Sequence, residues 1–439
     1  MRDAVALQRY LQRHIEPQLP SAVTASQRWR HAVVIPAYRE DASLLERLRA
    51  APAAVRGEKN LVVLVINRPS TEANDDINAP LRQAISGLKN VSNETGVDHT
   101  LALRDDLELF LLDLDQLRGP LPADEGVGLA RKAGCDLALR WIHEGAIKED
   151  WVCNTDADAC LPPDYFTRLQ SLEDHHLGAV FPFVHIPSGN EAIDTATALY
   201  ELRLHQYVLG LEFAESPYAL HTLGSCLALR AGAYAHVRGV PKRAGAEDFY
   251  LLNKLAKLGP VARLKGRCIQ LLSRASSRVP FGTGPAVKAI AEGRETVFYH
   301  PQCFEALRCV LRCFAGLAAQ PDADLADLIG TSGLQPKVAQ AALHALQHFG
   351  IETTLAHCRR QGRTHPQFLQ HLTTWFDGQR SLQFIHRLRD DGWRTSGFTE
   401  IDRLTPQLWP PHDAQSVTSL REAIHRHWGW QNGPRFDRR

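Results

Sequence analysis

Two aspartates one residue apart close an apolar run in Trp151-Val-Cys-Asn-Thr-Asp156-Ala-Asp158-Ala-Cys160. Carboxylates at i and i+2 beyond the end of a strand can share one hard divalent cation and leave positions open for diphosphate oxygens. A second acidic pair, Glu247-Asp248, follows later in the chain. An ionised carboxylate within hydrogen-bond reach of a hydroxyl takes its proton as a new bond forms. Together the pairs suit an enzyme that handles a nucleotide-activated substrate. The spacing alone is not specific, because Asp113/Asp115 and Asp322/Asp324 share it. The plain structural alternatives are solvated turn acids for the first pair and, for the second, acids favoured by the dipole of a helix over 249–257.

The elements that must position these residues alternate. A buried strand run at 31–35 closes at Pro36, and 41–49 reads as a helix with Leu44, Leu45 and Leu48 on one face. The β-branched run 61–66 follows, then a polar stretch at 70–105 that reads as an insertion with a helix at 80–88. Strands are expected at 109–114, 151–154 and 179–184, and a helix from Gly126 to about residue 144. Continuous apolar runs separated by helical patterns predict an α/β sandwich over 31–285, its strands parallel and covered on both faces. Residues 1–30 read as a separate N-terminal helix ending at Pro17 and Pro20. Helical patterns at 303–319, 337–349, 368–375 and 416–427, without strand runs between them, predict a mostly helical domain over 290–439.

Bulk properties exclude some classes. With Lys+Arg 50 against Asp+Glu 49, the chain has no global field that would draw it to nucleic acid or an anionic membrane. Its apolar runs are too short for a membrane span, and the N-terminus has no apolar core of signal-peptide length. Nine cysteines, an odd number without a C-x-x-C pair, favour reduced thiols and a cytoplasmic location.

Five blocks, taken in order, resemble the family 2 glycosyltransferases and their GT-A-fold relatives. Val-Val-Ile-Pro36-Ala-Tyr38-Arg-Glu40 resembles that family's opening nucleotide-binding strand and turn. Gly128-Leu-Ala-Arg131-Lys132-Ala-Gly134 is similar to its Gly-x-x-x-Ala-Arg-Asn-x-Gly helix start. Asp156-Ala-Asp158 stands at its metal-binding motif, and Leu223-Gly224-Ser225 resembles the segment lining its acceptor pocket. Ala246-Glu247-Asp248 matches its Glu-Asp segment. The match covers about 31–285, and no family resemblance is identified for the C-terminal part. Asn67 and Lys132 depart from the family's usual Asp and Asn.

The resemblance implies a GT-A domain and metal-dependent transfer of a sugar, a hexose above all, from a UDP- or GDP-linked donor to a hydroxyl acceptor. Mn²⁺ or Mg²⁺ would be bound by Asp158, with Asp156 on the metal or the ribose. Asp248 is the expected general base of an inverting reaction, supported by Glu247. Pro36, Tyr38, Glu40, Asn67, Arg131 and Arg278 are expected at the donor, and Gly224 and Ser225 on the acceptor side. Some retaining GT-A enzymes add a downstream histidine to the metal shell, and His300 is the candidate here.

Other features keep two readings. Arg131 and Lys132 either meet phosphate or base, or pair with Asp136 or Glu125. The loop Ser273–Gly284, with Arg274, Arg278, Gly282 and Gly284, either folds over a diphosphate or links domains. His185 and His221 read as buried structural histidines, and Cys303, Cys309 and Cys313 as core. The late tryptophans Trp375, Trp393, Trp409, Trp428 and Trp430 line a sugar groove or, more simply, fill a core. Two other functions fit less well. A degenerate nucleotide-sugar-binding scaffold conflicts with the intact acids, and a nucleotidyltransferase needs a Gly-rich loop where this chain has Pro-Ala-Tyr-Arg-Glu.

Overall fold

The computed structural model describes residues 2–20, 29–91, 100–276, 278, 282–362, 364–405 and 407–433. In chain order the strands are β1 (Trp29–Ala37), β2 (Lys59–Ile66), β3 (Thr100–Arg104), β4 (Leu107–Asp113), β5 (Trp151–Asn154), β6 (Ala159–Cys160) and β7 (Gly178–Val180). They continue with β8 (Phe183–Ile186), β9 (Leu227–Arg230), β10 (Val261–Arg263), β11 (Gly266–Arg267), β12 (Ile269–Leu272) and β13 (Trp430–Gln431). Eight of these form one sheet in the order β10-β7-β9-β5-β1-β2-β4-β3. The chain is therefore mixed α/β, built on a large sheet rich in parallel strands.

The apolar runs form the middle of the sheet. Val62, Val63, Leu64, Val65 and Ile66 are fully buried, as expected of parallel strands covered on both faces. β2 runs parallel to β1 and β4, and β5 runs parallel to β1. Elsewhere the sheet is mixed: β9 lies antiparallel between β5 and β7, and β3 is antiparallel to β4. The expected strand at 179–184 is two strands in different sheets. Pro182, which has no N–H for a ladder, separates β7 from β8, and β8 joins β6 and β12 in a second, three-stranded sheet.

The helix Gly126–His143 packs on β1 and β2 at close range. A Cβ at Gly134 would stand 2.4 Å from Val34 Cγ1 and 2.7 Å from Val65 Cγ2, so glycine permits the approach. At the other end of β1, Trp29 meets Trp141 with ring centroids 5.3 Å apart and donates its indole N–H to Glu108 Oε2 at 2.8 Å.

Two compact units partition the chain. The first holds Met1–Thr197, Thr222–Ala291 and Trp428–Arg439; the second holds Ala198–His221 and Glu292–His427. This division differs from the expected boundary near 285–290 in two segments. The helix Glu191–Phe213 begins in the first unit and continues into the second, and the C-terminal strand β13 pairs with β11 in the first. The second unit is helical around Phe304, Val310, Phe314, Leu346, Leu372 and Phe384. Among the described residues no helix is long and apolar enough to cross a membrane.

Candidate active site

β1 and β5 are neighbours, with Val34 opposite Asn154, so their carboxyl ends open side by side. The chain leaves β1 toward β2 and leaves β5 toward the opposite half of the sheet. That makes the gap between them a topological switch point, where α/β sheets form ligand crevices. Tyr38 and Glu40 follow β1, and Asp156 and Asp158 follow β5.

Arg131 organises the crevice. It lies in the first half of the helix Gly126–His143 with a side chain only 2% exposed. Its Nη2 donates to Asp156 Oδ1 at 2.6 Å, and its Nε donates to Glu247 Oε1 at 3.1 Å. Its Nη1 reaches Asn154 Oδ1 at 3.0 Å, the Gly224 carbonyl at 3.1 Å and the Thr155 carbonyl at 3.5 Å. One guanidinium thus joins four of the five sequence blocks. Burial opposes its charge, but Asp156 and Glu247 more than offset this and hold its pKa above the ordinary arginine value. Arg131 had two readings, phosphate or base on one side and a salt bridge to Asp136 or Glu125 on the other; it forms ion pairs, but with Asp156 and Glu247. Its work is to place the acids.

Two glycines make room for this arrangement. At Gly224 a Cβ would meet Arg131 Nη2 at 2.5 Å; at Gly128 it would meet the backbone N and O of Arg243 at 2.5 and 2.6 Å. Ser225 is buried, and its carbonyl accepts from Thr155 Oγ1 at 2.8 Å, tying the Gly224-Ser225 turn to the segment after β5 that bears the aspartates.

A second network surrounds Asp158. Arg274 bridges Asp158 Oδ2 at 2.8 Å and Glu40 Oε1 at 3.2 Å. Arg278 also pairs with Glu40 and donates to the Arg39 carbonyl at 2.5 Å. Arg47 stands 3.6 Å from Glu40 and donates to the Ala157 carbonyl at 2.9 Å. Arg274 and Arg278 of the basic segment therefore lie against these acids. Burial raises the Asp158 carboxyl, with Asp156 and Glu40 adding to the rise, although Arg274 opposes it.

Asp248 sits in the first turn of the helix Glu247–Ala256, where its Oδ1 accepts from the Phe249 N–H at 2.7 Å. Burial and the neighbouring Glu247 push its pKa up to about 7. The residue before this pair, Ala246, has φ 55°, a left-handed conformation that costs an L-residue energy and fixes the entry into the helix. Arg39, between Tyr38 and Glu40, is also left-handed at φ 55°.

The remaining expected residues divide. Pro36 lies within β1 opposite Val65, and Tyr38 donates its hydroxyl to Glu72 Oε2 at 2.8 Å. Asn67 is buried and its N–H continues the ladder to the Ala37 carbonyl at 3.0 Å. Lys132 turns from the crevice to Asp136 Oδ2 at 2.7 Å, Tyr10 Oη at 2.6 Å and the His14 carbonyl at 2.9 Å, anchoring the N-terminal helix Arg2–Arg13. Asp113 and Asp115, the decoy pair, are taken up by Arg82 and Arg68, and Asp324 caps the helix Leu325–Gly330. Gly282 has φ 114°, and Gly284 lies in the helix Thr283–Ala291, its backbone close to Ser276.

His300 belongs to the helical unit, where its Nδ1 accepts from the Gln302 N–H at 3.2 Å and caps the helix Pro301–Ala319. Cys303, Cys309 and Cys313 are buried on that helix. The tryptophans are dispersed. Trp428 and Trp430 lie in the first unit, while Trp393 bonds Gln302 in the second. Sequence reasoning missed Asn154 and Arg47. Asn154 had a signal, since it ends the strand immediately before the aspartates.

The acid pair suits a hard divalent cation. Asp156 commits Oδ1 to Arg131 and Asp158 commits Oδ2 to Arg274. Among the described residues the other oxygen of each makes no hydrogen bond or ion pair, so an all-carboxylate donor set of the kind Mg²⁺ and Mn²⁺ prefer remains.

No family model matches the sequence, and no curated protein does. Solved structures do resemble it. Residues 1–349 of S. aureus TarS in complex with UDP-GlcNAc align at 12% identity over 91% of this chain and 89% of that one, with a TM-score of 0.35. The mannosyltransferase PcManGT from Pyrobaculum calidifontis, in complex with GDP-Man and Mn²⁺, aligns at 18% identity over 88% and 98%, with a TM-score of 0.36. These likenesses are too slight to assign a family, an activity or a ligand to the chain.

Proposed function

We propose that this protein is a GT-A-type glycosyltransferase that moves a hexose from a UDP- or GDP-linked donor to a hydroxyl of its acceptor, with inversion. The observation that carries the reading is the convergence of Asp156, Glu247 and Gly224 on one buried arginine, with Asp248 beside them and its pKa near neutrality.

Asp248 takes the acceptor's proton as the hydroxyl oxygen bonds to the anomeric carbon and the bond from that carbon to the diphosphate oxygen breaks. A carboxylate with a pKa near 7 is well matched to this task at neutral pH. The Phe249 N–H holds its carboxylate, and Arg131 pairs with the adjacent Glu247. Mn²⁺ or Mg²⁺ on Asp156 and Asp158 would neutralise charge developing on the departing nucleoside diphosphate. Arg274 and Arg278 bring further positive charge to the same side, and Pro36, Tyr38, Glu40 and Asn67 frame the nucleoside. Gly224 and Ser225 border the acceptor.

The test is calorimetric titration with UDP and with GDP, each with and without Mn²⁺. Binding of one nucleotide that requires the metal supports the donor site and chooses the base. If neither nucleotide binds under any condition, the reading fails in favour of a degenerate scaffold.

A further inference from the structure

The helical unit holds a second group of ligating side chains, remote in sequence from the acid pair. Glu201 and His205 stand one turn apart on the helix Glu191–Phe213, and His425 projects from the helix Val417–Trp428. All three are buried, and their ligating atoms lie within 4.8 Å of one another. We propose that Glu201, His205 and His425 bind a structural transition-metal ion of the Zn²⁺ class.

The spacing carries the argument. His205 Nε2 is 3.6 Å and His425 Nε2 is 3.9 Å from the same oxygen, Glu201 Oε1. These separations exceed hydrogen-bond length, yet donors held about 2.0–2.1 Å from a tetrahedral zinc sit roughly 3.3 Å apart. A small rotamer adjustment closes the difference. Two imidazoles and one carboxylate form a mixed nitrogen–oxygen set that favours Zn²⁺, Co²⁺ or Fe²⁺ over Mg²⁺ or Ca²⁺.

The surroundings match the outer shell of such a site. His205 Nδ1 lies 3.1 Å from His221 Nε2; with the proton on His205 Nδ1, its Nε2 lone pair faces Glu201. Arg421 donates to Glu201 Oε1 from Nε at 2.8 Å and reaches it from Nη2 at 2.7 Å, which orients the carboxylate and offsets its buried charge. The ion would clamp two helices that meet from distant parts of the chain, and metal binding would contribute directly to the stability of this unit.

The probe is Co²⁺, whose visible d–d absorption reports nitrogen ligation, applied to the full chain carrying Asp156→Ala and Asp158→Ala so that the acid pair contributes nothing. The expected result is one equivalent of Co²⁺ with a visible band, displaced by Zn²⁺, and a melting temperature several degrees lower after chelation. His205→Gln and His425→Gln should each remove the band. Failure of the folded parent to take up Co²⁺ or Zn²⁺ would overturn the proposal even if the histidine variants do not fold. So would a band that survives in either folded histidine variant.

Discussion

Arg131 Nη2 donates to Asp156 Oδ1 at 2.6 Å, and the same guanidinium reaches Glu247, which lies more than a hundred residues further along the chain. That pairing makes the crevice a single electrostatic unit. Arg131→Ala leaves two carboxylates and the Asn154 and Gly224 oxygens without their buried donor. The expected cost is about 3–5 kcal/mol, measured by denaturant unfolding. Arg131→Lys keeps the charge but not the fork, so it should recover only part of the loss.

Asp158 behaves differently because its arginine partner is partly exposed. Asp158→Ala should change stability by no more than about 1 kcal/mol. It should abolish the metal-dependent part of nucleotide binding. Calorimetry on the variant measures both, and donor affinity that remains metal-dependent at the parent's level would rule out Asp158 as a ligand.

Asp248 gives the pH dependence. Its pKa in the fold is about 7 against an ordinary 3.8, so the protonated form is favoured in the native state. The stability this lends is complete below pH 3.8 and is lost as pH rises through about 7. Asp248→Asn, which keeps an oxygen for the Phe249 N–H, should therefore melt a few degrees above the parent at pH 8. The gap should narrow at pH 5 and close only below pH 3.8. Turnover needs the ionised form, so kcat/KM should rise with pH through about 7.

Backbone strain at Ala246 is also testable. Glycine adopts φ 55° without the left-handed penalty, so Ala246→Gly should stabilise the protein by roughly 1 kcal/mol. Gly224→Ala should do the reverse, costing about 1–3 kcal/mol, because its methyl would stand 2.5 Å from Arg131 Nη2. Thermal melts separate the two directions.

Much of this was legible from local pattern. The runs of β1, β2 and β5 are long or sharply bounded, and Asp156, Asp158, Glu247 and Asp248 sit where strands and helices end. The short strands β6, β9, β10 and β11 are too brief for a periodic signal, and Pro182 hid the change of sheet between β7 and β8. Long-range pairing was not legible. Asp113/Asp115 matches Asp156-Ala-Asp158 in spacing, but Arg82 and Arg68, contributed from other elements, bond both oxygens of each, whereas Arg131 and Arg274 pair with one oxygen of Asp156 and one of Asp158. Arg131 and Lys132 are adjacent in sequence, but one faces the crevice and the other the N-terminal helix. Glu201 and His205 carry a helical i, i+4 signature, whereas His425 joins them only through the fold.

The most direct measurement is release of UDP or GDP from a panel of sugar nucleotides with Mn²⁺, by the parent and by Asp248→Asn. The account predicts release by the parent from at least one donor. It also predicts a loss of about 10²–10⁴-fold in Asp248→Asn, with donor affinity unchanged. Equal release by the two proteins, or none by the parent from any donor, would contradict it.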